Sequence, residues 1–438
     1  MSKLSAKEIF EVTFLPPKTS GQHIISSSGP LESPISREAS LSLSGSSTGC
    51  LILNLSAFRW STDEEFFALV TEYFTPDYNG QEQYGRPRHH FSTLCSPWLE
   101  TVPLLLDTSR STTLLSVALR TLGYSIIAKG NRGHRRSQWD VCRAESYTKA
   151  VHSLSNKIAE DDGGCNESAA AIMCLCLAEW LVPTSREGWI AHIRGIGRMM
   201  EMCGPESFIG PIAHQLFIGF RPLVILEACI SRQDTFLSSV EWRTIPFAFH
   251  EPSPLQTLLS HGSILPSLLQ RVQTTDSLPL NERGPLYEGV LAELINTLQK
   301  LGKWEQSLQS TINGPLYWPI TTCPSPPRCN SAVEGSLWFY SLPVATAMTH
   351  LWAFRAVCFS QIAHLLSSDP TRFTDAMRTC LNVSGIEDCH RQTVAFHRMV
   401  CQSMLYFKQG TLRFYGAASV TLPLRVTQMA IYLLHSRW

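Results

Sequence analysis

The chain has 438 residues, 44% of them hydrophobic and 16% charged, with 36 lysines and arginines matched by 36 aspartates and glutamates. That length admits two or three domains and the apolar share suffices for a large buried core. A formal net charge of zero supplies no field that would draw the whole protein to nucleic acid or to an anionic membrane, so neither DNA binding by charge nor a membrane partner is expected.

Residues 1–50 are read as a Ser-, Gly- and Pro-rich tail, because the stretch 17–49 carries too little apolar surface to offset its ordering entropy. The start of the chain lacks the apolar core of a signal peptide. The run Ser61-Thr62-Asp63-Glu64-Glu65 predicts a helix start, with Ser61 or Thr62 as cap and acids at the positive helix end. Phe66, Phe67, Leu69, Val70 and Tyr73 are expected on its apolar side. After a polar loop over 77–90, residues 98–106 are apolar, and 112–127 and 147–158 have helical spacing. Between the latter two, Lys129, Arg132, His134, Arg135 and Arg136 read as a solvated helix connection rather than an import signal or phosphate contact.

The run Glu160-Asp161-Asp162-Gly163-Gly164 is a breaker, and Asn166 or Ser168 is expected to cap the next helix. From there the apolar run 169–180 is followed by Trp189, His192 and Gly195, by Gly204-Pro205, and by a second apolar run over 211–230. Glu179, His214, Gln215, Arg221 and Glu227 interrupt or bound these runs, so they are read as buried helices of a soluble protein rather than membrane spans. Pro246 and Pro252 close the unit. Residues 255–272 and 286–301 are further amphipathic pieces, Tyr317 and Trp318 follow, and a loop over 323–329 separates them from helices expected over 337–366, 390–415 and 423–434. Strand alternation and hairpin dipeptides are scarce, so the fold is expected to be all-α, with one helical domain over 51–438.

The 14 cysteines sit mostly inside apolar stretches and never as Cys-x-x-Cys, which removes the paired thiolates of zinc fingers and clusters and fits a reducing compartment. Cys174, Cys176, His192 and Cys203 invite a metal reading, but residues two apart on a helix point about 200° apart and cannot share an ion. Core packing is the expectation. Cys323, Cys329 and the pair Cys389-His390 are placed in loops as free or partly buried thiols. The acidic groups Glu160-Asp161-Asp162 and Glu387-Asp388 lack the spacing of a magnesium-diphosphate site and read as solvated helix-end charge. Arg194, Arg198 and Glu201 are read as an exposed charge ladder, with anion binding as the alternative. Trp180, Trp189, Phe217, Phe220, Trp338, Phe339, Trp352, Phe354 and Phe407 are expected in the core, although such rings also line cation-stabilising cavities. Catalytic residues are unknown from the sequence, no cofactor is expected, and no hydrolase elbow, P-loop, dinucleotide fingerprint or zinc-protease helix is present.

In the order and spacing of residues 168–246, the chain resembles the helical regulatory domain that follows the zinc cluster in fungal binuclear-cluster transcription factors. The resemblance extends to Trp98 through Leu106, the helix 114–124, Tyr147 through Ala150 ahead of Leu154, the helix 345–358 with Trp352, and Gln402-Ser403 through Gly416 to Pro423. It thus covers essentially all of 51–438. The family's six-cysteine DNA reader is missing, since only Cys50 precedes the helical region. What the resemblance implies is a nuclear regulator or co-regulator of a fungal secondary-metabolism gene cluster, working as a homodimer, as a heterodimer with a zinc-cluster factor, or through a small-molecule effector. It transfers no catalytic residue. The alternative is a cytoplasmic biosynthetic enzyme, a terpene cyclase-like or other cyclase or isomerase, that reuses the helical body around an apolar pocket.

Overall fold

The computed structural model describes residues 62–76, 97–106, 113–130, 136–159, 165–185, 187–320, 335–368 and 383–435. The expected tail, the acidic run 160–162, the basic residues 132–135 and the loop with Cys323 and Cys329 lie outside the described residues. Within them the fold is all-α apart from one short hairpin.

Helix α1 (Asp63–Phe74) starts as its sequence dictates. Thr62 Oγ1 accepts from Glu65 N–H at 3.3 Å while Glu65 Oε2 accepts from Thr62 N–H at 3.0 Å, a reciprocal capping box. It buries Phe66, Leu69, Val70 and Phe74. Its neighbour α3 (Leu114–Gly130) carries Gly123 where a Cβ would meet the Phe66 ring at 2.3 Å, so the glycine sets how closely the two helices approach. Asp63 fixes the register by accepting from Ser116 Oγ at 2.6 Å and Arg120 Nε at 2.7 Å. Between α1 and α3, a 3-10 turn (Pro97–Thr101) runs into the short α2 (Val102–Leu106) and seats Trp98 beside Gly219.

Helices α4 (Arg136–Ala159), α5 (Cys165–Leu181) and α6 (Gly188–Cys203) complete the N-terminal group. Because α5 already begins at Cys165, Asn166 and Ser168 lie inside its first turn and neither is the cap that the sequence suggests. Glu167 works across helices instead, accepting from Leu115 N–H at the start of α3 and pairing with Lys157 of α4. Helix α6 stops at Gly204, whose φ of +77° is one that side-chain-bearing residues rarely adopt. Helix α7 (Pro211–Ser231) then crosses the molecule and touches α5 and α6 on one side and later helices on the other. Pro222 within it has no N–H to offer the carbonyl of Ile218, and Gln256 Nε2 fills that vacancy at 3.0 Å.

Beyond a short α8 (Val240–Thr244), the predicted single piece 255–272 is two helices, α9 (Pro254–Gly262) and α10 (Leu265–Asp276). The chain restarts at Leu265 with Pro266 in the first turn, where a missing N–H does no harm. Helix α11 (Leu280–Thr311) leads into β1 (Tyr317–Ile320), which pairs antiparallel with β2 (Ser336–Phe339) so that Trp318 faces Trp338. This hairpin is a small addition to the all-α fold that the scarcity of strand patterns leads one to expect. Its strands are too short to show a period, and aromatic pairing with packing of Tyr317 and Phe339 on Trp352 overrides local preference. The helix expected from 337 therefore begins later, as α12 (Leu342–Ser368).

Helix α12 is the axis of the C-terminal group, flanked by α11, α13 (Ile386–Gln402) and α15 (Arg413–His435). The segment 390–415, expected as one helix, breaks after Gln402 into α14 (Met404–Phe407) and a turn before α15. Gly416 makes that break compact, since a Cβ there would lie 2.2 Å from the Phe407 carbonyl oxygen. By length and composition Pro211–Ser231, Leu342–Ser368 and Gly410–Leu434 suffice to cross a membrane, and 67%, 89% and 39% of their apolar windows are buried inside this fold.

Candidate functional site

The segment 168–246 contributes to two buried polar centres and to one open groove. In the first centre, Glu179 of α5 is fully buried and accepts from the backbone N–H and hydroxyl of Thr184 at 2.9 and 2.7 Å. Tyr147 of α4 is near enough for the Glu179 charge to act on its phenol. Tyr147 Oη lies 3.0 Å from His192 Nε2, within hydrogen-bonding distance, the donor being set by the ring tautomer. Burial, then the Glu179 charge, pushes the Tyr147 phenol up, and burial pushes the His192 imidazole down to about 4. At neutral pH His192 and Tyr147 are therefore both neutral, and Glu179 is held by the neutral donors of Thr184. Gly188 closes the centre, for a Cβ there would meet Glu179 Oε2 at 2.3 Å.

The second centre is Arg221 at the middle of α7, also fully buried. Its guanidinium donates to the Gln256 carbonyl at 2.8 Å, to Gln256 Oε1 at 3.0 Å and to Ser260 Oγ at 2.8 Å. The rings of Phe217 and Phe247 lie 5.8 and 5.2 Å from its central carbon. Burial, then the Arg243 charge, lowers its pKa to about 9, which leaves it cationic at neutral pH. It has no carboxylate partner among the described residues. These contacts tie α7 to α9.

The groove lies between α6 and the C-terminal half of α7, with a volume of about 760 Å3. Ile193, Gly197, Val224 and Ala228 form its apolar part, while Arg194, Arg198, Glu201, Glu227, Ser231 and Asp234 supply charge and hydrogen-bonding groups. Arg194 Nε meets Glu227 Oε1 at 2.7 Å. Burial raises the Glu227 pKa and the bond from Arg194 opposes that rise. Of the ladder expected along α6, Arg194 turns to a carboxylate on the neighbouring helix. The volume is within the range of small-ligand sites, and the mixed lining suits an amphipathic molecule bearing charge.

The other residues singled out from the sequence are placed as follows. Cys174 and Cys176 are buried in α5 with thiols pushed up to about 12 by burial, and Cys176 donates to the Trp189 carbonyl at 3.6 Å. Among the described residues no group of three or more His, Cys, Asp or Glu side chains gathers as metal ligands. Cys389 and His390 are in helix α13 and not in a loop, since the glycine before them, Gly385, precedes a new helix start. Burial pushes the Cys389 thiol up to about 12. Asp388 takes the Ser384 N–H at 2.6 Å and pairs with exposed Arg391, as helix-end charge does. The aromatic residues pack against one another and their neighbours: Trp338 on Tyr406, Phe339 on Trp352, and Trp189 under Arg425 at 4.7 Å.

A third polar cluster was not visible in the sequence. Asp276 at the end of α10 accepts from Tyr287 Oη at 2.5 Å and lies 3.1 Å from His364 Nε2 of α12. It borders a gap of about 10 Å3, room for about one water. Only the end position of Asp276 hinted at this, because its partners come from two other helices.

Comparison with known proteins adds little to this geometry. No family model matches the chain, and no solved structure matches it. An uncharacterised protein of Emericella nidulans is 24% identical over 113 residues, which are 26% of this chain and 24% of that protein. The chain thus aligns with about a quarter of this relative's length, and the similarity links it to a fungal protein without assigning an activity.

Proposed function

We propose that the chain is a regulator or co-regulator of transcription of a fungal secondary-metabolism gene cluster, acting in the nucleus through its helical body. The observation that carries this reading is the contrast between a filled core and an open groove. The aromatic side chains pack on one another, and the buried charges of Glu179 and Arg221 are occupied by neutral partners. Neither of the two openings described is a closed apolar chamber with inward carboxylates, as cyclisation of an apolar metabolite requires. The resemblance of residues 51–438 to the regulatory body of zinc-cluster factors supports the same reading, as does the partial likeness to a fungal protein. In this scheme DNA is reached through a partner that carries the zinc cluster. The groove between α6 and α7 is the effector site in this scheme.

The test is deletion of the gene, followed by measurement of neighbouring transcripts and of the metabolite profile. Loss of transcription across a set of genes is expected. Unchanged transcripts with an accumulated intermediate overturn the proposal and select the enzymatic alternative. Arg194→Ala with Arg198→Ala is expected to abolish the transcriptional response while leaving the melting temperature near that of the parent, because both side chains are exposed.

A further inference from the structure

On the opposite part of the chain, three side chains of α13 and α15 form a relay whose proton positions follow from valence. Cys401 and His397 lie one turn apart on α13, with Sγ 3.5 Å from Nε2. His397 Nδ1 is 2.9 Å from Thr427 Oγ1 of α15, and that hydroxyl is 2.9 Å from the Leu424 carbonyl oxygen. A carbonyl only accepts, so the single hydroxyl proton of Thr427 goes to Leu424, and Thr427 accepts from Nδ1–H of His397. The neutral ring therefore aims its Nε2 lone pair at the sulfur, and Cys401 S–H is the donor.

Burial differs along the relay. Thr427 is fully buried and anchors the ring, whereas His397 and Cys401 are only partly covered. Burial raises the Cys401 thiol and lowers the His397 imidazole, which keeps both neutral, and no charged group contributes to either shift. Several charged residues on the packed elements are engaged elsewhere: Arg355 of α12 pairs with Glu305 over Phe396, Arg391 of α13 pairs with Asp388, Arg413 of α15 pairs with Glu72, and Arg425 of α15 covers Trp189. Arg398, next to His397 on α13, displaces neither group.

We propose that Cys401 is a base-assisted nucleophilic thiol, with His397 as its base and Thr427 as the positioning residue, that adds covalently to α,β-unsaturated carbonyl electrophiles. In the step, Nε2 takes the thiol proton as the sulfur pair forms the S–C bond to the β-carbon. The alkene π pair moves toward the carbonyl as an enolate, and the imidazolium returns the proton to the α-carbon. A thioether and a neutral imidazole result, with no leaving group and no oxidant. Soft sulfur matches such soft carbon centres. The inference does not rest on the regulatory reading, since it uses a separate pair of helices.

The experiment treats the full-length protein with limiting N-ethylmaleimide and maps modified peptides by mass spectrometry across the titration range of imidazole. Cys142, also partly exposed, is the internal control. Cys401 is expected to react about tenfold faster than Cys142 at neutral pH, a conservative share of what a positioned base supplies. Its rate falls as pH drops through the imidazole range and is flat above it, where an unassisted thiol continues to rise. His397→Gln is expected to cut the Cys401 rate about tenfold and restore the rising profile. Thr427→Val lowers the rate and Thr427→Ser retains it. Reaction no faster than at Cys142, or a rate unchanged by His397→Gln, overturns the proposal. Should His397→Gln fail to fold, the parent profile decides alone, and a rate still rising with pH above neutrality overturns it.

Discussion

Glu179 and Arg221 carry opposite charges into the same core, and the fold accommodates them by different routes. The donors to Glu179 come from Thr184, five residues along the chain. Arg221 relies on acceptors 35 and 39 residues away on α9 and on two ring faces. Neither uses an ion pair among the described residues. The carboxylate mainly stiffens the turn between α5 and α6, while the guanidinium fastens one helix to another. Burying either group without these partners would cost several kcal/mol, by an order-of-magnitude reckoning. The centre assembled from remote pieces is therefore the one whose removal should loosen the tertiary structure most.

Arg221→Ala should have the largest effect, a loss of about 3–5 kcal/mol in urea unfolding, because it leaves a cavity and strands the acceptors on α9. Arg221→Met fills the space and removes the cation, so it should cost less than half as much. An equal cost in both variants would show that the hydrogen bonds, not the volume, hold α7 to α9.

Next in size is the pH response. His192 and His350 are both buried, with imidazoles lowered by burial to about 4. Above about pH 6.5 both are neutral in folded and unfolded chains, and their contribution is fully present. As pH falls from there toward 4 the unfolded chain binds more protons, so stability drops, on the order of 3 kcal/mol for each. Melting temperatures should hold near neutrality and decline below pH 6.5. His192→Gln should flatten part of that decline. An unchanged slope would mean that His192 is protonated within the fold.

Gly188→Ala tests the carboxylate side of the comparison. Its methyl would strike Glu179, and a loss of about 1–3 kcal/mol is expected in thermal or urea unfolding. A neutral outcome would show that the Glu179 centre yields where the Arg221 centre does not. The smallest effect belongs to Arg194→Ala at the groove, where an arginine 47% exposed pairs with Glu227. Less than about 1 kcal/mol should be lost, measured by the same unfolding curves.

How much of this was legible in the sequence follows how local each cause is. Thr62 and Glu65 were readable as a cap because both halves of the box lie within one turn. The burial of Cys174 and Cys176 followed from their place in an apolar run, while helical geometry excluded a shared ion. Arg221 was visible only as an interruption of an apolar run, since the residues that accept its charge belong to α9. Glu227 as the partner of Arg194, and Asp276 with Tyr287 and His364, depend on which helices become neighbours. The β-hairpin was missed because each strand is four residues long and the partner of Tyr317 is as far along the chain as Phe339. The pair His397 and Cys401 stood at helical spacing in plain view, but its meaning required Thr427 from another helix to fix the ring.

Pro222 bears on the order in which the chain folds. A helix ordinarily closes its own hydrogen bonds as it forms, within a microsecond or so. At Ile218 that closure waits for Gln256, 38 residues onward, so the middle of α7 is complete only after α9 has docked. The long apolar helix at the centre of the molecule is thus expected to mature late, as a product of the tertiary contact rather than as its template.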